Sequence, residues 1–281
     1  EAADVMAVLN DVLAQMTDVI IAHGGTINEF IGDAIFAIFG APLAHPDHAE
    51  RAAAAAIAMQ CAMANVNEAH TKRGLPRFEM GIGINTGEAV VGNIGSEQRA
   101  KYAVVGAAVN LAARVEGCTV GGQIFLGPRT YTCIRDLVEV GEPLSVEVKG
   151  LADPLLLYEL RAIAGRFAQR LPEMSTYDEQ VPVALPFVGG VFDGTVLGTE
   201  KILGIALRLG RRHVGVRLDR SLPLLTNLRF RLNYPGLGYD SGDLYGKVIG
   251  IEQYEGTPVT RIRLTSVDPV DQKILDGFFE S

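Results

Sequence analysis

Apolar residues fall at Val5, Val8, Leu9, Leu13, Met16, Val19 and Ile20, the three-and-four spacing of one helix face, and Gly24-Gly25 follows as a stop. The period then changes. Two alternating apolar runs between Thr26 and Gly40 flank a Gly32-Asp33 pair, which predicts a β-hairpin. One of its strands carries an acid, Glu29, amid Ile and Phe, and the turn carries another, Asp33. A charge on an apolar strand costs free energy unless something pairs with it, whereas Asp is an ordinary turn residue. Asp47 is positioned to cap an Ala-rich helix running to about residue 71, broken by Gly74-Leu75-Pro76. Alternation resumes at 78–85 and 89–94, predicting two strands that pair back across Thr86-Gly87-Glu88. Gly92-Asn93-Ile94-Gly95 reads as a hairpin turn and not a phosphate loop, because no Lys-Ser/Thr follows it. A short strand at 102–105 turns at Gly106 into a helix over 108–116, followed by a strand at 123–126, a short helix at 129–136, and strands at 145–149 and 155–160.

Residues 161–184 read as a linker, its first part continuing as a helix to about Arg170 and the rest polar with two prolines. From 185 onwards the character is β. Short alternating runs recur at 204–209, 214–218, 227–232, 244–251 and 259–264 with Gly, Pro and Asn between them, and 268–279 looks like a closing helix. The fold class is therefore an α+β domain over residues 1–160, an antiparallel-rich sheet with helices on one face, followed by an all-β small barrel over residues 185–281.

At 281 residues the chain is long enough for these two domains, and its hydrophobic half can bury both cores. A net charge of −8 argues against a general nucleic-acid binder. Three scattered cysteines, Cys61, Cys118 and Cys133, lack zinc-site spacing and fit a reduced, cytoplasmic compartment. The longest apolar run, 52–59, is too short to span a bilayer. The chain opens without Met inside helical sequence, so it is expected to be part of a longer protein, which could be anchored upstream.

Three features could carry chemistry. Glu29 and the Gly32-Asp33 turn are the first. The second is Asn110 and Arg114, four apart on one helical face directly after a Gly-containing turn, where an amide and a guanidinium can jointly grip phosphate oxygens. The third is Lys149, a cation at a strand end beside Gly150. Taken singly, each is most simply a surface residue. In order they are more: His23-Gly24-Gly25-Thr26, Glu29-Phe30-Ile31-Gly32-Asp33-Ala34, Phe39-Gly40-Ala41-Pro42, Gly81-Ile82-Gly83-Ile84-Asn85-Thr86-Gly87, Tyr102-Ala103-Val104-Val105-Gly106, Asn110-Leu111-Ala112-Ala113-Arg114 and Val148-Lys149-Gly150 together resemble the catalytic domain of a class III nucleotide cyclase.

The resemblance implies a head-to-tail homodimer with active sites in the cleft between protomers, making a 3′,5′-cyclic nucleotide from a nucleoside triphosphate. It implies two Mg2+ or Mn2+ ions held by two carboxylates. Asp33 resembles the second of these. The first lies on a strand that the chain does not include, so the fragment is expected to bind metal poorly and turn over slowly or not at all. By the same likeness Asn110 orients the ribose, Arg114 stabilises charge on the α-phosphate and Lys149 holds the terminal phosphates. Glu29 and Ala103 occupy the two base-reading positions. A carboxylate at 29 accepts from guanine N1–H and the 2-amino group, while against adenine N1 it would oppose two acceptors; Ala103 neither donates nor accepts. GTP is the favoured substrate, with an adenylyl cyclase or a catalytically silent nucleotide sensor or scaffold as the alternatives.

The second domain holds seven arginines between 208 and 231 with one acid, Asp219, a local basic patch that reads either as the solvent face of barrel strands or as an anion site. Its last hundred or so residues resemble a PilZ domain, which implies a regulatory barrel and cyclic di-GMP as a ligand. An Arg-x-x-x-Arg stands at Arg166 and Arg170, but Gly210-Arg211-Arg212-His213-Val214-Gly215 lacks the polar residues of the second binding motif.

Overall fold

The computed structural model describes residues 2–75, 77–96, 98–147, 153–172, 179–193 and 196–279. The chain divides into two units, Glu1–Met174 and Ser175–Ser281.

In the first unit, α1 (Ala2–Ala22) lays Val12, Met16 and Ile20 against Met59, Met63 and Val66 of α2 (His48–Lys72). Between these helices the chain forms the expected hairpin, β1 (Gly25–Ile31) with β2 (Ala34–Phe39), paired from Gly25↔Phe39 to Ile31↔Ala34 with a bulge at Asn28. Gly32 takes φ +64° in the turn, a conformation open to glycine at little cost. The alanines of α2 are its packing surface: Ala53, Ala54, Ala56 and Ile57 are buried against Ile124, Leu126 and Leu160. Asp47 precedes α2 without capping it by its side chain; its carboxylate instead accepts from Arg51 Nε at 2.7 Å, and that guanidinium holds the carboxyl below its ordinary range.

The strand expected at 78–85 is only β3 (Ile82–Ile84), and it does not pair back on the next strand. It runs parallel to β6 (Ile124–Leu126), while β4 (Val90–Ser96) pairs with β5 (Arg99–Val105) as a separate hairpin. The glycines explain this. A Cβ on Gly83 would stand 2.2 Å from the Glu116 amide nitrogen, so β3 is pressed onto α3 (Ala107–Gly117), whose backbone occupies the space beside the strand. Gly92 and Gly95 lie inside β4, so the run read as a turn is strand. After α4 (Pro128–Ile134), β7 (Val138–Val140) and β8 (Leu144–Val146) both pair antiparallel with β9 (Leu155–Ile163), which also pairs with β6. The segment expected as a helix and linker continues β9 to Ile163, makes one 3-10 turn at Gly165–Phe167, and returns as β10 (Gln169–Arg170) on β9. Apolar side chains account for this, since Phe167 and Leu171 pack on the first unit's core.

The second unit begins with β11 (Gln180–Asp193), inside the stretch read as linker. With β12 (Val196–Leu197), β13 (Ile202–Gly210), β14 (His213–Leu218), β15 (Asn227–Tyr234), β16 (Tyr239–Asp240), β17 (Leu244–Tyr254) and β18 (Thr257–Ser266) it forms one antiparallel sheet. Pairing runs β11, β13, β14, β18, β17, β15 and back to β11, so six strands close into a barrel-like ring. Alternate residues point inward: Leu228, Phe230, Leu232 and Tyr234 of β15 meet Phe187, Ala206, Val216, Val248 and Ile262. Each large apolar side chain buried there contributes about 1.5–3 kcal/mol. The helix α5 (Pro269–Gly277) packs Leu275 onto this core and is capped by Asp268.

Candidate active site

The first unit spreads the expected site residues over three elements. Glu29 sits half-buried on β1 beside the bulge, opposite Phe36, and Asp33 is exposed at the hairpin tip. Ala103 is half-buried on β5 opposite Gly92, and β1 and β5 approach each other. The two positions expected to read the base therefore lie on neighbouring strands of different hairpins. Asn110 and Arg114 lie one turn apart on α3, Asn110 exposed and Arg114 half-buried. Lys149 lies outside the described residues.

What fixes α3 is a contact the sequence did not reveal. Asn85 Nδ2 donates to the carbonyl of Ala108 at 2.9 Å, in the first turn of the helix. A Cβ on Gly87 would lie 2.5 Å from Ala108 Cβ, and one on Gly83 would meet the backbone of Glu116. The β3 strand and the residues after it thus hold α3 at both ends, with Asn110 and Arg114 between. Asn85 belongs to the Gly81–Gly87 motif, yet only its spatial neighbour 23 residues later gives it a task. Thr130 ties the same strand end from α4, its hydroxyl oxygen 3.3 Å from the Ile84 carbonyl and 3.0 Å from Thr86 Oγ1.

Beside these residues an apolar cleft of about 250 Å3 runs between β2 and β3, floored by the alanines of α2 and walled by Ala108, Val109 and Ala112 of α3. None of Glu29, Asp33, Ala103, Asn110 or Arg114 lines it. Its polar side chains include Asn85, Thr86 and His48. The described residues supply only part of a two-metal centre. Asp33 offers one carboxylate at an exposed turn, and no group of three His, Cys, Asp or Glu able to hold a metal ion occurs among the described residues.

The arrangement of two hairpins and a helix bearing an amide and a guanidinium has clear relatives. The adenylate and guanylate cyclase catalytic domain matches residues 1–162. The chain belongs to that family. Among solved structures it is similar to the guanylyl cyclase Cya2, at 47% identity and a TM-score of 0.59, covering 61% of this chain and 87% of that one. It is similar also to the adenylyl cyclase CyaB from P. aeruginosa, at 31% identity and a TM-score of 0.57, covering 60% and 87%. Of curated proteins, adenylate cyclase 1 of Rhizobium meliloti (strain 1021) is 35% identical over 159 residues, 56% of this chain and 24% of that protein. The adenylate cyclase of Anabaena cylindrica is 36% identical over 171 residues, 58% and 33%. The chain thus spans between a quarter and a third of the length of these curated relatives.

The arginines read as a ligand motif have other duties. Arg170, on β10, binds the Glu139 carboxylate through both terminal nitrogens, and Arg166 approaches Asp47 and lies over the Phe167 ring. Both lie in the first unit, where they pair with its own acids. The basic patch of the second unit is also largely neutralised. Arg208 pairs with Glu252, Arg211 with Asp276, Arg220 with Glu200 and Asp219, and Arg229 and Arg231 with Asp243. Of those acids Asp219 lies inside the patch, while Glu200, Asp243, Glu252 and Asp276 lie outside it, so a count over 208–231 misses four of the five. No helix among the described residues is long and apolar enough to cross a membrane.

Proposed function

We propose that the first unit is a guanylyl cyclase domain, converting GTP to 3′,5′-cyclic GMP and pyrophosphate as a homodimer with shared sites. The observation that carries the base preference is Glu29, half-buried on β1 next to the strand that bears Ala103. A carboxylate in that position accepts two hydrogen bonds from the guanine edge, and against adenine N1 it would leave opposed acceptors, at about 1–3 kcal/mol. The 47% identity to a guanylyl cyclase supports the same choice.

In the reaction the ribose 3′-oxygen attacks the α-phosphorus, the bond from that phosphorus to the bridging oxygen breaks, and pyrophosphate leaves with the electron pair while the hydroxyl proton passes to solvent. Asn110 orients the ribose by hydrogen bonds. Arg114 faces the charge gathering on the α-phosphate, where a fixed guanidinium is worth most because it needs no reorganisation. Lys149 holds the terminal phosphates. Divalent metal ions, as the family resemblance implies, would supply charge neutralisation, with Asp33 one of the ligands. Exposed apolar residues on the hairpins, Val90, Ile94 and Val105 on β4–β5 and Phe30 and Ile31 on β1, support pairing with a second protomer. The second unit, six strands in a ring with a closing helix, is a PilZ-like regulatory module without the cyclic di-GMP motif.

An adenylyl cyclase is the second reading, favoured by the names of the Rhizobium and Anabaena relatives and by the neutrality of Ala103. Incubating the purified protein, with the family's first metal-binding strand supplied, with GTP or with ATP and Mn2+, and separating the products, decides between them. Cyclic GMP as the main product is expected; exclusive cyclic AMP overturns the GTP assignment. Nucleotide binding without either product identifies a silent sensor.

A further inference from the structure

The start of α5 closes over the short connection between β16 and β17, and two carboxyl groups meet there. Asp268 caps the helix, its Oδ1 accepting from the amides of Val270 at 2.7 Å and Asp271 at 3.0 Å. Asp271, in the same first turn, is wholly buried. Its Oδ2 accepts from the Gly242 amide at 2.9 Å, and its Oδ1 has no hydrogen-bond partner among the described residues. A Cβ on Gly242 would stand 2.7 Å from Asp268 Oδ2 and 3.0 Å from Asp271 Oδ2, so both groups press against that glycine.

An ionised carboxylate can only accept, so a hydrogen bond between two of them requires a proton. The groups acting on Asp271 are Asp268, the Gly242 amide and Tyr239, and Tyr234 of β15 lies close enough to feel its charge. Flanking acids are occupied elsewhere: Asp240 by Asn233, Asp243 by Arg229 and Arg231, and Asp276 on α5 by Arg211 and Gln272. Lys273, also on α5, is not among the groups acting on Asp271.

We propose that α5 is a proton-dependent clasp: one proton held between Asp268 and Asp271 fastens the helix to the β16–β17 connection, and its loss as pH rises loosens the helix. Burial, then the Asp268 carboxyl beside it, pushes the Asp271 carboxyl above its ordinary value, while the backbone amides of Asp271 and Val270 hold Asp268 below its own. The clasped state therefore binds the Asp271 proton more tightly than the released state. That contribution is complete below the ordinary carboxyl value near 3.8 and is lost as pH rises through the raised one. Asp268 works oppositely, its contribution vanishing as pH falls through its depressed value. The clasp is strongest between the two.

Hydrogen-exchange mass spectrometry on the whole chain, from about pH 4.5 to about pH 8 and corrected for intrinsic exchange rates, tests this. Protection of the α5 amides, referenced to β17, is expected to fall about tenfold for each pKa unit by which Asp271 is raised. Asp271→Asn, whose amide donates to Asp268 at every pH, is expected to make that protection independent of pH. Asp268→Asn, which still caps the helix and gives an ionised Asp271 a donor, provides the same flattening should the first variant fail to fold. Flat protection in the unaltered chain, or an unchanged pH dependence in the variants, overturns the clasp.

Discussion

Replacing Gly83 with alanine puts the strand-to-helix packing of the first unit under direct test. The added Cβ would stand 2.2 Å from the Glu116 amide nitrogen and 2.5 Å from its Cα, where contacts below 3.4 Å already force a neighbour to move. Both atoms are backbone, so no flexible side chain can swing aside, and α3 must retreat by more than an ångström. Asn85 holds the other end of α3 at Ala108, so the helix tilts instead of sliding. Overpacking costs about 1–3 kcal/mol when side chains can yield; with backbone on one side the upper end applies. For a unit of this size about 3 kcal/mol corresponds to a loss of about 6–12 °C in Tm. Scanning calorimetry of the whole chain measures it, with the transition of the second unit as an internal reference. Because α3 carries Asn110 and Arg114, and about an ångström of misplacement can cost about a hundredfold in rate, cyclic nucleotide production should fall by a similar factor. A first-unit transition that stays within about 1 °C, with turnover intact, would refute the packing argument.

Glu29→Lys combined with Ala103→Asp should move the ratio of GTP to ATP turnover towards ATP by about 5- to 150-fold, measured by product analysis with both nucleotides; an unchanged ratio removes Glu29 from base recognition. Arg114→Ala is expected to lower kcat by about 10²–10³-fold with KM little changed, because its charge is met only in the transition state. Tyr234→Phe should raise the Tm of the second unit, since the buried Tyr234 hydroxyl has no hydrogen-bond partner among the described residues and costs about 1–3 kcal/mol where it is. Leu160→Ala, at a fully buried β9 position, should cost the first unit about 2–5 kcal/mol by denaturant titration.

The helices and the first hairpin were legible because their signals are local. The spacing from Val5 to Ile20 and the alternation around Gly32-Asp33 need no distant partner to be interpreted. Pairing was another matter. The partner of β3 is β6, some forty residues on, and what sends it there is the bulk of α3 against Gly83, which no alternation pattern encodes. The long strand β11 was hidden by Pro182, Pro186, Gly189 and Gly190, residues that ordinarily interrupt strands. Pro182 stands at a register shift and Pro186 faces outward opposite Ile205, so both are tolerated. In the site, residue types and spacing singled out Glu29, Asp33, Asn110 and Arg114. The service of Asn85 to α3 could not be seen, because it joins a strand end to a helix carbonyl across a gap in sequence. The arginines of the second unit stayed open between a solvent face and an anion site for a related reason: four of their five carboxylate partners lie outside the stretch that holds them.

The ring of the second unit has a consequence for the order in which the chain can be made. β11 is its first strand, yet one of its two neighbours is β15, and the circuit is complete only when β18, ending at Ser266, has been joined. The last core residue of the first unit, Leu171, leaves the ribosome about a hundred residues earlier. At about 5–20 residues per second, the first unit has about 5–20 s to fold before the ring can shut. During that interval β11, with Val188 on its outer face and Leu185 and Phe187 on its inner one, is a strand awaiting its neighbours, and it is the segment of the nascent chain that most needs protection.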